Sequence, residues 1–279
     1  MRPFVLILFT FGFVINGFTQ TVIAPSLEID GAIIQGGHVI GHTQADATVS
    51  LDGKILPITT NGRFIIGFDR DAHKPLLLTI RSANGTSLER ELVPQPRAYA
   101  IERVNGLPPA TVNPPASVTE RTQREAGIVA VARQRRDDRD DWTALFQMPA
   151  SGRLSGFFGS QRVLNGEPKR PHYGLDVAAP EGAAVTAPAP GIITLAEPDL
   201  YFSGGTIILD HGHGLSSTFL HLSSVDVTVG QQIASGELIG KVGASGRATG
   251  PHLDWRMNWH DQRIDPRLFI EPNAWEPAN

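Results

Sequence analysis

The 279-residue chain contains no cysteine, and only 7% of its residues are aromatic. Without cysteine there can be no disulfide bonds and no lipid-modified cysteine after a leader, and a chain of this length can bury cores that hold without such links. An excess of basic residues is also lacking, because 24 Lys and Arg stand against 28 Asp and Glu. This mild acidity argues against a nucleic-acid partner, which would require a basic face.

Long apolar runs are missing as well. The chain starts with Met1, Arg2 and Pro3, residues 4–15 carry no charge, and residues 16–20, Asn-Gly-Phe-Thr-Gln, are mostly polar. This pattern predicts a signal peptide over residues 1–20, since an apolar run of about 12 residues is shorter than the roughly 20 needed to span a bilayer. No other segment is long and apolar enough, so we expect an exported protein of the periplasm or cell envelope, without a membrane span once the signal is removed.

Turn signals are frequent in the first third of the chain. The pairs Asp52-Gly53, Asn61-Gly62 and Asn84-Gly85 favour two-residue hairpin turns, because both central residues of a type I′ turn need a positive φ. Residues 49–68 are therefore expected to form three successive antiparallel strands. The spacing predicts a mainly β chain whose residues 21–104 form an accessory domain, an immunoglobulin-like β-sandwich.

Prolines cluster between residues 94 and 115 and indicate a stiff connection. Ser117 and Glu120 then have the spacing of a capping box, in which each side chain satisfies a free backbone N–H group at the start of a helix. The pattern predicts a proline-rich and helical linker over residues 105–141, with the helix running from about residue 118 to 136.

The remaining residues, 142–279, are rich in strand formers and glycine and hold five side chains that can bind metal. His172 and Asp176 lie four residues apart, and nitrogen and carboxylate oxygen both suit zinc at about 2.0–2.2 Å. His252 and Asp254 are two residues apart, so on a strand they face the same side. His221 ends another predicted strand and is expected to reach the same cleft.

Several short motifs follow one another in this region in a fixed order. They are Ser-Gly-Phe-Phe-Gly (155–159), Pro-His-Tyr-Gly-Leu-Asp (171–176), Phe-Leu-His-Leu (219–222), Gly-Ala-Ser-Gly (243–246), Thr-Gly-Pro-His (249–252) and Ile-Asp-Pro (264–266). Over roughly residues 146–268 the ordered set resembles the lysostaphin- and LytM-type zinc endopeptidases, which cut peptide bonds in peptidoglycan. The resemblance implies an antiparallel β metallopeptidase domain with one zinc ion per chain.

By this resemblance His172 and Asp176 hold the metal, and His221 and His252 form a catalytic pair that does not bind it. The third ligand falls at Asp254, where the family pattern has histidine. The expected reaction is metal-dependent hydrolysis of peptide cross-links in bacterial peptidoglycan, with the two histidines moving a proton or stabilising the developing oxyanion. The substrate would be peptidoglycan stem peptides.

Three interpretations of Asp254 remain open from the sequence. Asp254 can itself bind zinc, and a site with two carboxylates would also accept Mn²⁺. Alternatively, His252 is the ligand and Asp254 orients it. In the third interpretation the domain is catalytically inactive and acts as a cell-wall binding protein or as an activator of another cell-wall hydrolase.

Residues 160–166 are predicted to form a loop that walls the cleft. Its polar side chains Arg162 and Asn165 are the candidates for contacts with the substrate.

Overall fold

The computed structural model describes residues 24–106 and 116–271, and the predicted signal peptide lies outside these ranges. Within them the chain is mainly β, as predicted, with short 3₁₀ turns and one α-helix. No helix in this part of the chain is long and apolar enough to cross a membrane. The elements are β1 (Glu28–Gly31), β2 (His38–His42), β3 (Thr48–Leu51), β4 (Lys54–Leu56), β5 (Arg63–Gly67), β6 (Leu76–Arg81), β7 (Ser87–Leu92), β8 (Ile101–Val104), α1 (Thr119–Ala132), β9 (Arg153–Gly156), β10 (Gln161–Leu164), β11 (Glu167–Pro168), β12 (Leu175–Ala178), β13 (Ala184–Thr186), β14 (Gly191–Leu200), β15 (Gly204–Gly212), β16 (Leu215–Val225), β17 (Gln232–Ile233), β18 (Leu238–Val242), β19 (His252–Trp259) and β20 (Gln262–Ile264).

The N-terminal region consists of two small antiparallel sheets, ordered β1-β2-β5 and β4-β3-β6-β7. Strands β3, β4 and β5 fall in the region of residues 49–68, and β3 pairs with β4 as expected. Strand β5 instead pairs with β2 in the other sheet, so the hairpin expected at Asn61-Gly62 was wrong. Asp52 and Gly53 have φ angles of 48° and 76°, as a type I′ hairpin requires. The immunoglobulin-like arrangement and the predicted domain limits remain predictions.

The connection between the two regions departs from the predicted helix. Helix α1 ends at Ala132, and Val118 precedes it without any side-chain capping bond, so the capping box was wrong. The reason is local, because Ser117 lies inside a 3₁₀ turn, Ala116–Val118, rather than at the position that caps the helix. After α1 the chain is drawn to the large sheet, where Arg133 donates to Thr218 Oγ1 at 3.2 Å.

The C-terminal region is built on one large sheet, ordered β17-β14-β15-β16-β19-β12-β9, with β20 added to β19 and β13 paired with β18. In the antiparallel pairing of β12 with β19, Leu175 is opposite Trp255 and Asp176 is opposite Asp254. Neither Leu175 nor Trp255 is exposed to solvent. Because alternate residues of a strand face opposite sides, the two aspartates lie together on the other face of the sheet.

The two regions pack directly against each other. A Cβ atom added at Gly67 in β5 would lie 2.7 Å from Trp259 Cβ in β19, so the strands approach too closely for a side chain there. Arg70 donates from Nε and Nη2 to the Gly159 carbonyl at 2.9 and 2.7 Å, and Arg97 pairs with Asp265 at 2.9 Å. The N-terminal region thereby supports the segment before β10.

Candidate metal centre

Two side chains of the large sheet and one from the loop before β12 converge at one point. One ligand atom from each of His172, Asp176 and Asp254 lies within 4.8 Å of the other two, and all three residues are buried. His172 Nε2 is 2.9 Å from Asp176 Oδ1 and 3.5 Å from Asp254 Oδ2. Ligands of a tetrahedral zinc ion are about 3.3 Å apart when each lies about 2.0–2.2 Å from the metal. The spacing of the three atoms therefore fits a single metal ion.

The hydrogen bonding of His172 leaves one ring nitrogen available. Its Nδ1 lies 3.2 Å from the Phe157 carbonyl oxygen, which can only accept, so Nδ1 carries the proton. His172 Nε2 and Asp176 Oδ1 are buried, and apart from their mutual contact at 2.9 Å neither has a hydrogen-bond partner among the described residues. Burial disfavours a charged imidazole, but Asp254 and Asp176 outweigh it and raise the pKa of His172 to about 9. The raised pKa places a proton on Nε2 between the carboxylates, and a bound metal cation would take the place of that proton.

Two glycines make room for the carboxylates. A Cβ atom at Gly156 in β9 would lie 2.3 Å from Asp176 Oδ2, and one at Gly174 would lie 2.0 Å from Asp254 Oδ1. Both distances are far below van der Waals contact. The glycines within the motifs at residues 155–159 and 171–176 are therefore required by the position of the ligands, and any larger residue would displace them.

Arg256 contacts the site and was missed by the sequence interpretation. It follows Asp254 by two residues in β19, and its Nε lies 3.1 Å from both carboxylate oxygens of Asp254. Burial disfavours the charged form of Asp254, but Arg256 and His172 together hold its pKa well below the usual range. The signal that could have revealed it is an opposite charge two residues along the strand, on the same face as the ligand.

The other two predicted site histidines lie side by side next to the cluster. The rings of His221 and His252 are 4.8 Å apart between centroids, and His252 Nε2 is 4.0 Å from Asp176 Oδ1. His221 Nδ1 donates to the Ser245 carbonyl and His252 Nδ1 donates to the Gly250 carbonyl, both at 2.8 Å. The Nε2 atom of each ring therefore bears the lone pair and can accept a proton.

The backbone at His221 is strained and held by a neighbouring loop. His221 has a φ of +65°, which is unusual for a residue other than glycine and is often found at functional sites. Ser245 Oγ accepts from Gly205 N at 2.9 Å and donates to the Leu222 carbonyl at 2.8 Å. A Cβ atom at Gly243 would lie 2.7 Å from the His221 carbonyl oxygen. The Gly-Ala-Ser-Gly motif at residues 243–246 thus positions the catalytic candidate.

The two candidate substrate residues take different places. Arg162 lies at the site, with Nη2 3.6 Å from Asp176 Oδ2 and Nε 3.7 Å from Glu102 Oε2. The loop predicted over residues 160–166 was wrong here, because Arg162 belongs to strand β10, which pairs with β8. Asn165 is exposed in the turn between β10 and β11. Its φ of +50° is one that asparagine tolerates well, so the turn itself accounts for this residue type. Their contacts with a substrate remain predictions.

The candidate metal centre does not lie in the cavity of about 1060 Å³ that the structure contains. This cavity lies between the N-terminal sheets and the β19–β20 turn, where Leu56, Phe68 and Trp259 are among its lining residues. It contains none of the three candidate ligands. The unpartnered donor atoms and the paired histidines identify the reactive region, since chemistry depends on convergent polar groups rather than on volume.

Comparisons with known proteins agree with this geometry. The model of peptidase family M23 matches residues 170–266, a range that includes all five predicted metal-binding and catalytic residues. A solved structure from Pseudomonas aeruginosa, assigned to peptidase M23, superposes with a TM-score of 0.64 at 30% sequence identity, covering 86% of this chain and 96% of that one.

Two curated relatives match a shorter region. The DD-carboxypeptidase/endopeptidase Mpg of Neisseria meningitidis is 37% identical over 97 residues, which are 35% of this chain and 22% of that protein. The peptidoglycan DD-endopeptidase ShyA of Vibrio cholerae is 33% identical over 114 residues, which are 40% and 26% of the two chains. The matched region thus spans about a quarter of these relatives. The resemblance inferred from the ordered motifs is confirmed, and the chain belongs to peptidase family M23.

Proposed function

We propose that this protein is a metal-dependent endopeptidase that hydrolyses peptide cross-links of bacterial peptidoglycan. The observation that carries the proposal is the convergence of three buried ligand atoms, from His172, Asp176 and Asp254, within 4.8 Å of one another. Two further histidines lie beside them. His172, Asp176 and Asp254 would hold one zinc ion, and the two carboxylates would also suit Mn²⁺. A divalent ion bound there would polarise the scissile carbonyl and activate the attacking water.

The two neighbouring histidines supply the proton chemistry. Burial lowers the pKa of His221, despite the opposing effect of Asp254, so His221 is a neutral base near neutral pH. The backbone carbonyls of Ser245 and Gly250 fix both rings with Nε2 as the acceptor. His221 and His252 can therefore take up the proton of the nucleophile, pass it to the leaving amine, or donate to the developing oxyanion.

The proposed substrate is the stem peptide of peptidoglycan, on the support of the relatives named for DD-endopeptidase activity. Such a substrate lies outside the cytoplasmic membrane, which agrees with the signal peptide predicted over residues 1–20. We place the protein in the periplasm or cell envelope. Arg162 is the proposed substrate contact, because it borders the metal ligands while remaining partly exposed.

The proposal is tested by purifying the mature chain, measuring bound metal per chain and following release of soluble peptides from purified peptidoglycan. We expect about one metal ion per chain and release of peptides that a chelator abolishes. Asp254→Ala is expected to lose both the metal and the activity. His252→Ala is expected to retain the metal but to lose activity by about 100-fold or more, as for removal of a general acid or base.

Each alternative interpretation has its own result. Loss of metal in His252→Ala with retention in Asp254→Ala would make His252 the third ligand. Peptidoglycan binding without bound metal and without released peptides would refute the enzyme and favour a binding or activating protein.

A further inference from the structure

The side chain of Arg256 is held by its contacts with the carboxylate of Asp254. Both residues lie on the same face of β19, and the arginine contacts both oxygens of the carboxylate, with Nη2 at 2.5 Å and Nε at 3.1 Å from Oδ2, and Nε at 3.1 Å from Oδ1. Asp254 is 3% exposed and Arg256 26% exposed, measured over the side chains. Such a forked contact fixes the rotation of a carboxylate as well as its position.

The charge of the three candidate ligands explains why a positively charged side chain is needed beside Asp254. His172, Asp176 and Asp254 together bring two formal negative charges into a buried site, whereas the family pattern with histidine in the third position brings one. Two buried carboxylates close together repel each other, so a positive charge beside them stabilises the arrangement. The guanidinium of Arg256 returns the formal charge of the group to that of the family pattern.

The packing around Gly174 admits both side chains at once. A Cβ atom at this position would lie 2.0 Å from Asp254 Oδ1 and 2.8 Å from Arg256 Cγ. On the opposite side, Thr218 of β16 is the register partner of Arg256. The arginine stem therefore lies close against the segment before β12, and its head is directed at the ligand.

We propose that Arg256 is a positioning residue that holds Asp254 in the orientation of a third metal ligand and offsets its extra negative charge. This inference rests on the proposed function, because it assumes that the cluster binds a metal. It goes further in stating that the aspartate works only together with the arginine, so that the two residues form one functional unit.

The experiment measures the affinity of the full mature chain for Zn²⁺ by competition with a chelating dye, and records the visible absorption of the Co²⁺-loaded protein. We expect Arg256→Met to weaken Zn²⁺ binding by about 10- to 100-fold, as is typical when the partner of a metal ligand is removed. The Co²⁺ spectrum is expected to change because the coordination geometry changes. Arg256→Gln, which keeps a hydrogen-bond donor, should fall between Arg256→Met and the unaltered protein.

Arg263→Met is the matched control. Arg263 lies on the neighbouring strand β20, donates to Asn258 Oδ1 at 3.0 Å and stacks over the Tyr173 ring at 5.5 Å. It contacts none of the three candidate ligands. We expect this variant to bind Zn²⁺ within about twofold of the unaltered chain, and circular dichroism of every variant to show an intact β fold.

Testing Arg256→Met in a second chain, one that carries Asp254→His, separates the positioning of Asp254 by Arg256 from a general effect on folding. In an Asp254→His chain, Arg256 has lost its anionic partner and opposes the metal, so adding Arg256→Met should raise the affinity for Zn²⁺. The same substitution thus acts in opposite directions in the two backgrounds. A merely structural role would weaken binding in both.

Two results would overturn the inference. In the first, Arg256→Met leaves the Zn²⁺ affinity unchanged or raises it while Asp254 is present. The arginine would then contribute nothing to metal binding, or would only repel the metal ion. Equal effects in both backgrounds would also refute it. If the unaltered chain digests peptidoglycan with bound metal while either result holds, only the inference fails. If the unaltered chain binds no metal, the proposed function and the inference fall together.

Discussion

Two buried histidines of the C-terminal region, His172 in the loop before β12 and His211 in β15, have opposite environments. His211, in β15, contacts the Pro190 carbonyl through Nδ1 at 2.6 Å and Ser217 Oγ through Nε2 at 2.8 Å. Burial lowers its pKa to about 4. At His172 burial acts in the same direction, but the two aspartates outweigh it and the pKa rises to about 9.

The difference shows what makes a buried histidine a candidate ligand. His211 is satisfied at both ring nitrogens by neutral groups of its own fold, so it has no lone pair for a metal. His172 has one nitrogen bound to a backbone carbonyl and the other directed at two carboxylates, 2.9 Å from Asp176 Oδ1 and 3.5 Å from Asp254 Oδ2. Burial is common to both sites, and only the convergence of unsatisfied atoms distinguishes them.

The same substitution at the two histidines should separate their roles most strongly. His172→Leu is expected to abolish metal binding and to lower peptidoglycan hydrolysis by about 1,000-fold or more, because it removes a ligand and the chemistry depends on the metal. His211→Leu should leave metal affinity within a few-fold. It should lower the free energy of unfolding by about 1–3 kcal/mol, since Ser217 and the Pro190 carbonyl lose a buried partner.

Metal analysis, peptidoglycan digestion and urea unfolding of both variants check this prediction. Loss of bound metal in His211→Leu, or its retention in His172→Leu, would contradict the comparison.

Acid should destabilise the fold through His211. Its pKa is about 6.5 in an unfolded chain and about 4 in the folded protein, so between these values the unfolded state binds more protons. Stability is then present above pH 6.5 and is lost as the pH falls toward 4, by up to about 3 kcal/mol for a shift of this size. Urea unfolding at several pH values should show a shallower loss in His211→Leu than in the unaltered chain. Parallel pH dependences would show that His211 is not the group responsible.

Gly174 and Gly191 allow the same comparison between a position at the candidate site and one outside it, with smaller expected effects. At Gly174 a Cβ atom would meet the Asp254 carboxylate at 2.0 Å, and at Gly191 it would meet the Asp210 carbonyl oxygen at 2.5 Å. Gly174→Ala is expected to weaken Zn²⁺ binding by about 10-fold or more, because the third ligand must move. Gly191→Ala should lower the melting temperature and leave metal affinity unchanged. Equal metal affinities of the two variants would show that Asp254 can shift without loss.

Much of the fold could be predicted from local signals. The turn pair Asp52-Gly53 indicated a hairpin because its backbone conformation is accessible to few residues, and β3 and β4 are there. The helix boundary could not be predicted in the same way. Ser117 and Glu120 have the right spacing, but a 3₁₀ turn displaces the serine from the capping position, and a contact of Arg133 with Thr218 lies just beyond the helix end.

In the candidate site, too, some features could be predicted from local sequence and others could not. Alternation along a strand was enough to expect His252 and Asp254 on one face, because strand periodicity is a local property. That Asp176 lies opposite Asp254 depends on the register of β12 with β19, which joins residues 78 positions apart. The unpartnered state of His172 Nε2 also depends on three strands and a loop meeting, and no local pattern encodes it.

Residue types are settled by the amino-acid sequence, namely which side chains can bind a metal and which can carry a proton. The tertiary structure alone decided which of the buried histidines face carboxylates and which are satisfied by the fold. It also brought Arg256 to both oxygens of Asp254. The physical reason is that hydrogen-bond satisfaction and charge compensation are properties of a packed environment, and this environment is made by segments distant in the chain.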